Sequence, residues 1–106
     1  MMRKLLLFFT LVLLTACQGR DIIGTWEDYT DTYVFNSDNT GTRDGAMGRY
    51  PFTWEQRGDS LIILMDIDGR FTHEEHWKIE SFETEKGEKR MNYSTRGHRL
   101  YLRRVE

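Results

Sequence analysis

The amino-acid sequence predicts an all-β domain of about seven or eight antiparallel strands. Its apolar runs are short and rich in aromatic and β-branched residues, which favour strands. The runs end at Gly, Asp and Asn turn signals that recur about every ten residues. Beyond the first twenty residues no segment keeps the 3.6-residue period of an amphipathic helix. This combination is typical of an antiparallel meander, a barrel or a sandwich.

The first four strands are predicted at residues 22–29, 32–36, 41–44 and 50–57. Residues 37–41, Ser-Asp-Asn-Thr-Gly, form a strong turn signal after the second strand. The glycine-rich segment 45–48 is expected to interrupt the third strand. In the fourth strand Tyr50, Phe52 and Trp54 share one face, because side chains alternate along a strand.

The last four strands are predicted at residues 60–67, 71–83, 91–95 and 99–105. Asp68-Gly69 predicts a two-residue type I′ hairpin between the first two of them. The strand at 60–67 is apolar on both faces, so we expect it to be covered on both sides or to contact a second copy. In the strand at 71–83, Phe71, Trp77 and Ile79 face one way and the even positions face the other.

Residues 1–16 have the layout of an export signal. Basic residues at positions 3 and 4 precede an apolar run at 5–14, and the small residue Ala16 follows. The run is much shorter than the roughly 20 residues that a membrane-spanning helix needs. Because Cys17 comes directly after Leu-Thr-Ala, the segment resembles a bacterial lipoprotein signal with its lipobox.

The resemblance implies cleavage before Cys17 and lipidation of that residue. Residues 17–21 would then be a short tether to the lipid bilayer, with palmitate or a similar acyl chain as the anchor. Gln18, where an Asp would retain a lipoprotein in the inner membrane of enterobacteria, favours the outer membrane of the cell envelope by analogy. Lipidation also accounts for the single cysteine, which has no partner for an internal disulfide.

Cleavage would leave ninety residues, which is enough for one domain. Residues 17–85 carry six basic and fifteen acidic side chains, whereas residues 86–106 carry seven basic and two acidic ones. A basic end is compatible with an anionic partner. We expect instead that it pairs with the acidic first strand, and we expect no nucleic-acid partner for an exported protein.

Three motifs carry a second resemblance. Gly24-Thr25-Trp26 opens the first strand, Asp38-Asn39-Thr40-Gly41-Thr42 forms the turn after Phe35, and Gly58-Asp59-Ser60-Leu61 follows the Trp54 strand. In this order they are similar to small bacterial lipocalin-like lipoproteins. The resemblance implies that residues 22–106 form a lipocalin-like domain. Its fold would be an up-and-down antiparallel barrel or half-barrel, with Trp26 closing one end.

Two functions are compatible with such a barrel. The first is binding of a small apolar or amphipathic ligand against the inward aromatic side chains, which are pocket or core candidates: Trp26, Tyr33, Phe35, Phe52, Trp54 and Trp77. The alternative is an interaction or structural lipoprotein, an accessory subunit or inhibitor of an envelope protein, whose barrel is filled by its own side chains.

No motif predicts an enzyme, a cofactor or a metal site. His73 and His76 are three apart, so on a strand they point to opposite faces and we expect a solvated strand surface. Asp68-Gly69 is accounted for by its hairpin and lacks the spacing of a calcium loop. A hydrolytic pair of carboxylates brought together by the fold is the weakest alternative.

Overall fold

The computed structural model describes residues 21–105, apart from the side chain of Phe71. The predicted signal, Cys17 and residue 106 lie outside the described residues. Eight strands follow one another along the chain: β1 (Gly24–Glu27), β2 (Thr32–Phe35), β3 (Thr40–Gly45), β4 (Gly48–Arg57), β5 (Ser60–Ile67), β6 (Phe71–Glu85), β7 (Glu88–Thr95) and β8 (His98–Val105). Within residues 21–105 there is no helix long and apolar enough to cross a bilayer.

The strands close into an antiparallel barrel in which each strand pairs with its neighbours in sequence. β1 completes the ring by pairing with β8, where Thr25 lies opposite Val105 and Glu27 opposite Arg103. The predicted all-β, up-and-down architecture is therefore confirmed, and it is a complete barrel of eight strands. The expected attraction between the basic end and the first strand is present as an ion pair of 3.4 Å between Arg103 and Glu27.

Alternate loops lie at the same end of an up-and-down barrel. We call the end with loops 28–31, 46–47, 68–70 and 96–97 the mouth, and the end with loops 36–39, 58–59 and 86–87 the base. Asp68 and Gly69 both have positive φ, at 55° and 69°, as the predicted type I′ turn requires. Lys86-Gly87 and Arg96-Gly97 have the same pattern. Ile67 pairs with Phe71, however, so the loop after β5 has three residues instead of the predicted two.

Some predicted strand boundaries were wrong. The first strand is four residues long, because the chain at Ile22 turns under the base and residues 28–31 form the first mouth loop. β3 is not interrupted and runs to Gly45, which pairs with Gly48 across a two-residue loop. β6 extends to Glu85 and contains a bulge between Ile79 and Ser81. After a bulge the alternation of faces shifts by one residue.

The core lies inside the ring, on every second residue of each strand. On β5 the inward residues Leu61, Ile63 and Met65 are fully buried. The outward Leu64 of the same strand is 38% exposed. Nothing within the described chain covers this outer face, so the expectation that β5 contacts a second copy stays a prediction.

Trp26 lies near the base and is fully buried. Its indole N–H donates a 2.7 Å hydrogen bond to the carbonyl of Ile22, and its ring packs 6.2 Å from that of Phe82. The guanidinium of Arg104 covers the other side at 5.6 Å. Position 24 favours glycine for two reasons. Its φ is 139°, and a Cβ there would lie 2.9 Å from Arg104 Nη2, in the space that this guanidinium occupies. The glycine therefore accommodates an arginine rather than the indole itself.

Candidate binding site at the mouth of the barrel

The six aromatic residues that the sequence marks as pocket or core all lie in the buried core. Five of them, together with Tyr93, fill the lumen below the mouth, and we call this set the aromatic core: Tyr33, Phe35, Phe52, Trp54, Trp77 and Tyr93. The sixth, Trp26, belongs to the layer at the base described above. No member of the six is more than 6% exposed.

Ring contacts within the aromatic core leave little space between the side chains. Trp77 stacks on Tyr93 with ring centroids 4.2 Å apart and meets the ring of Tyr33 edge-on at 5.3 Å. Phe35 contacts both Phe52 at 5.3 Å and Trp54 at 5.7 Å. Such offset and edge-to-face pairs add about 0.5–1.5 kcal/mol each beyond the area they bury.

Above the aromatic core the lumen becomes charged. Arg43 on β3 lies opposite Tyr33 on β2 and therefore points inward like it. Its guanidinium sits over the Tyr33 ring at 5.2 Å. Its Nε and Nη2 both lie 2.6 Å from Oδ2 of Asp31 on the first mouth loop. The side chain of Asp31 is only 13% exposed, so this pair is largely withdrawn from water.

Glu75 on β6 holds the other side of the guanidinium. Its Oε2 lies 3.4 Å from Arg43 Nη1 and 3.2 Å from Nε2 of His73, and its Oε1 accepts a 2.9 Å hydrogen bond from the indole N–H of Trp77. We call Asp31, Arg43, His73 and Glu75 the mouth cluster. Through Trp77 the mouth cluster rests directly on the aromatic core.

Two local features place Asp31 over Arg43. Oδ1 of Asp28 accepts hydrogen bonds from the backbone N–H groups of Thr30, at 2.8 Å, and Asp31, at 2.7 Å, which locks the mouth loop. On the facing hairpin, Gly45 lies so close that a Cβ there would stand 2.2 Å from Asp31 Oδ1. A residue with a side chain at position 45 would therefore push the carboxylate away.

A cavity of about 180 Å³ opens at the mouth beside this cluster. Polar and apolar groups are mixed along its wall: Arg43 lies beside Tyr50 and His73 beside Met65, and Asp31 and Ile67 also line it. Its volume is below the ~300–1,000 Å³ of drug-sized ligand sites. The cavity therefore fits a small molecule or one end of a larger one.

Burial and neighbouring charges shift the pKa of three side chains at and below the mouth: Arg43, Tyr33 and Tyr93. Burial opposes the charged form of Arg43, yet Tyr33, Asp31 and Glu75 together raise its pKa, so the guanidinium stays charged. Burial also raises the pKa of Tyr33 and of Tyr93 far above the ordinary tyrosine value, with only Arg43 acting in the opposite direction. Among residues 21–105 no three His, Cys, Asp or Glu side chains are arranged to hold a metal ion.

The interpretation of His73 as part of a solvated surface was wrong. His73 lies opposite Met65 on β5 and faces the lumen, whereas His76 faces out and pairs with Glu74 at 2.5 Å. Sequence reasoning did not single out Asp31, Arg43 or Glu75. Alternation along β6 already placed Glu75 on the face of Trp77, and this signal could have identified it.

No family model matches the chain, and neither a curated protein nor a solved structure matches it. The mouth cluster and its cavity are therefore the basis for a functional proposal.

Proposed function

We propose that this protein is a lipid-anchored, lipocalin-like lipoprotein of the bacterial cell envelope that binds a small amphipathic ligand at the barrel mouth. The observation that carries the proposal is the cavity of about 180 Å³ whose lining combines charged and apolar groups. The mouth of a β-barrel is a common place for ligand sites, and such sites combine apolar walls with a few fixed polar groups.

The packing of the lumen favours an amphipathic ligand over a purely apolar one. Trp77, Tyr93 and Phe35 occupy the middle of the barrel, where a long apolar chain would otherwise insert. An eight-stranded barrel is just wide enough to be filled by its own side chains or to hold one small ligand. A ligand at the mouth meets Arg43 and His73 before it reaches this aromatic layer.

The course of the chain supports a function at a membrane. β1 starts at the base, so a tether at residues 17–21 would attach the barrel by the end opposite the mouth. Acylation of Cys17 with two or more chains would anchor the protein stably. The mouth would then face away from the bilayer and be open to small molecules in the surrounding compartment.

Native mass spectrometry of the protein extracted from its own membranes tests ligand binding. We expect a bound mass in addition to the acylated chain. The variant Ile67→Trp, which fills the cavity, should lack this mass, whereas Leu64→Trp on the outer face of the same strand should retain it. Identical spectra for wild type and Ile67→Trp would contradict a ligand at the mouth.

Cys17→Ala tests the anchor separately. We expect this variant to accumulate as an uncleaved precursor or in the soluble fraction, as seen by fractionation and intact mass. A processed Cys17→Ala chain that stays in the membrane would contradict lipidation at this residue.

The alternative is an envelope interaction protein, and one outer surface favours it. Tyr29 is 89% and Leu100 is 46% exposed, and both line a groove of about 330 Å³ together with Tyr101 and Arg103. Tyr and Arg are over-represented among residues that dominate protein interfaces. Crosslinking in membranes followed by affinity purification should recover one partner that Tyr29→Ala loses. Recovery of only the free monomer would argue against this alternative.

A further inference from the structure

We infer that the ligand presents an uncharged carboxamide at the mouth, whose carbonyl oxygen accepts from Arg43 and whose N–H donates to Nδ1 of His73. A short apolar segment of the same ligand would lie on Met65 and Ile67. This inference rests on the function proposed above and specifies the chemistry of the ligand at that site. Three properties of the cavity lead to it: its donors, its acceptors and its charge.

Hydrogen-bond donors face the cavity. A guanidinium has five N–H groups. Arg43 directs Nε and Nη2 to Asp31 and Nη1 to Glu75, which leaves two N–H groups without a partner among the described residues. His73 donates from Nε2 toward Glu75, so in the uncharged imidazole its Nδ1 carries no hydrogen and is an acceptor. Both side chains are about one-third exposed, so a ligand can reach them.

The carboxylate acceptors of the mouth cluster are already engaged. Glu75 receives Trp77 on Oε1, and Arg43 and His73 on Oε2. Asp31 receives Arg43 on Oδ2, and its Oδ1 lies where a Cβ of residue 45 would stand. A ligand that offers only donors would therefore leave the free N–H groups of Arg43 unpaired.

Charge and hydrogen bonding together disfavour the two ionic alternatives. Asp31 and Glu75 are two negative charges around the single positive charge of Arg43, so with an uncharged imidazole the cluster carries one net negative charge. A ligand carboxylate would be repelled by this charge at short range, where the surroundings screen poorly. A ligand ammonium would leave the two remaining N–H groups of Arg43 without an acceptor. A neutral carboxamide accepts from Arg43 and donates to Nδ1 of His73 without either penalty.

Three probes of equal length separate these cases: butyramide, butyrate and butylammonium. The cavity of about 180 Å³ has room for such a four-carbon fragment, since a water takes up ~30 Å³ in the liquid. Each probe is titrated into the ¹⁵N-labelled protein at pH 8, where an ordinary imidazole is uncharged. Binding is read from the backbone amide shifts of the mouth loops and of β6.

We expect butyramide to saturate with shifts confined to the mouth, at least fivefold more tightly than either charged probe. Because one protein is used for all three probes, the order of affinities does not depend on whether a variant folds. Arg43→Met should weaken butyramide at least tenfold, and the outward Glu74→Gln should leave it unchanged.

Each outcome bears on a different claim. Tighter binding of butyrate or butylammonium at the mouth would overturn the claim that the ligand presents an uncharged carboxamide. It would leave the mouth as a ligand site. Equal affinity for butyramide in Arg43→Met, checked as folded by its amide spectrum, would overturn the role of the guanidinium. No saturable shift at the mouth with any probe would overturn this inference. The mass comparison between wild type and Ile67→Trp then decides separately whether the mouth binds a ligand.

Discussion

β6 carries two His–Glu pairs on opposite faces, and they differ in almost every physical respect. The inward pair, His73 and Glu75, lies at the barrel mouth, where Glu75 is 16% exposed and also contacts Arg43. The outward pair, His76 and Glu74, is more than half exposed and has no further ion-pair partner among the described residues. One strand thus places the same two residue types in two environments.

The difference shows that barrel closure, rather than residue type, decides which polar groups can take part in binding. An exposed ion pair contributes about 0–1 kcal/mol, because water and salt screen it. The carboxylate of the inward Glu75 instead accepts from three side chains: Arg43, His73 and Trp77. Three comparisons of the two faces of β6 and one test of the buried Tyr93 on β7 follow, from the largest expected effect to the smallest.

Trp77→Ala should have the largest effect, a loss of about 3–5 kcal/mol in the free energy of unfolding. Its ring contacts Tyr33, Phe35 and Tyr93, so the truncation leaves a large cavity in the aromatic core. Denaturant unfolding monitored by circular dichroism measures this. Lys78→Ala, the next residue on the outer face, should change stability by no more than ~0.5 kcal/mol. Similar losses in the two variants would contradict the assignment of faces.

Glu75→Gln should cost about 1–3 kcal/mol, because it leaves Arg43 with a weaker partner on one side and perturbs three contacts. Glu74→Gln should cost no more than ~0.5 kcal/mol. Denaturant midpoints at low and high salt distinguish the two. Only the small effect of the outward variant should vanish in high salt, and a Glu75→Gln effect that vanishes as well would mean that the inward cluster is solvated.

Alkaline pH should weaken the protein through its buried tyrosines. Burial raises the pKa of Tyr93, so the folded state keeps a proton that the unfolded state loses near pH 10. This contribution is fully present below that pH and is lost as pH rises above it. Tyr93→Phe should therefore reduce the loss of unfolding free energy by about 1 kcal/mol at pH 11. Unchanged alkaline slopes in thermal melts of Tyr93→Phe would count against burial of this hydroxyl.

His76→Ala should have the smallest effect, within ~0.5 kcal/mol of wild type. Butyramide binding should also be unchanged, because His76 points away from the lumen. His73→Ala is the matched inward change and should weaken butyramide severalfold through loss of the Nδ1 contact. Equal amide shifts in the two variants on titration would remove His73 from the site.

Alternation of side chains made much of the barrel predictable from the sequence. It correctly grouped Tyr50, Phe52 and Trp54 on β4, and Trp77 with Ile79 on β6. It failed beyond Ile79, because the bulge before Ser81 shifts the alternation and turns Phe82 toward the core. No pattern in the local sequence predicts that bulge.

The mouth cluster was harder to predict, since its members come from three separate segments of the chain. Arg43 lies in the predicted third strand, where a charged side chain is ordinarily exposed. Its inward position depends on the register that sets it opposite Tyr33, and on Asp31 reaching it from the first mouth loop. Register across the ring is a property of the closed barrel, and the local pattern of β3 does not contain it.

The way the ring closes also bears on how the chain folds. Seven of the eight strand pairs are hairpins between neighbours, which can form early because little loop entropy is lost. The eighth joins Thr25 to Val105 across almost the whole domain, and β1 contributes only four residues to it. The β1–β8 pairing is therefore the most non-local one of the fold, the kind of contact that slows folding. Asp31 can reach Arg43 once β2 pairs with β3, whereas Glu75 reaches Arg43 from a strand that is not its neighbour. The mouth cluster is therefore completed only when the sheet curls into the barrel.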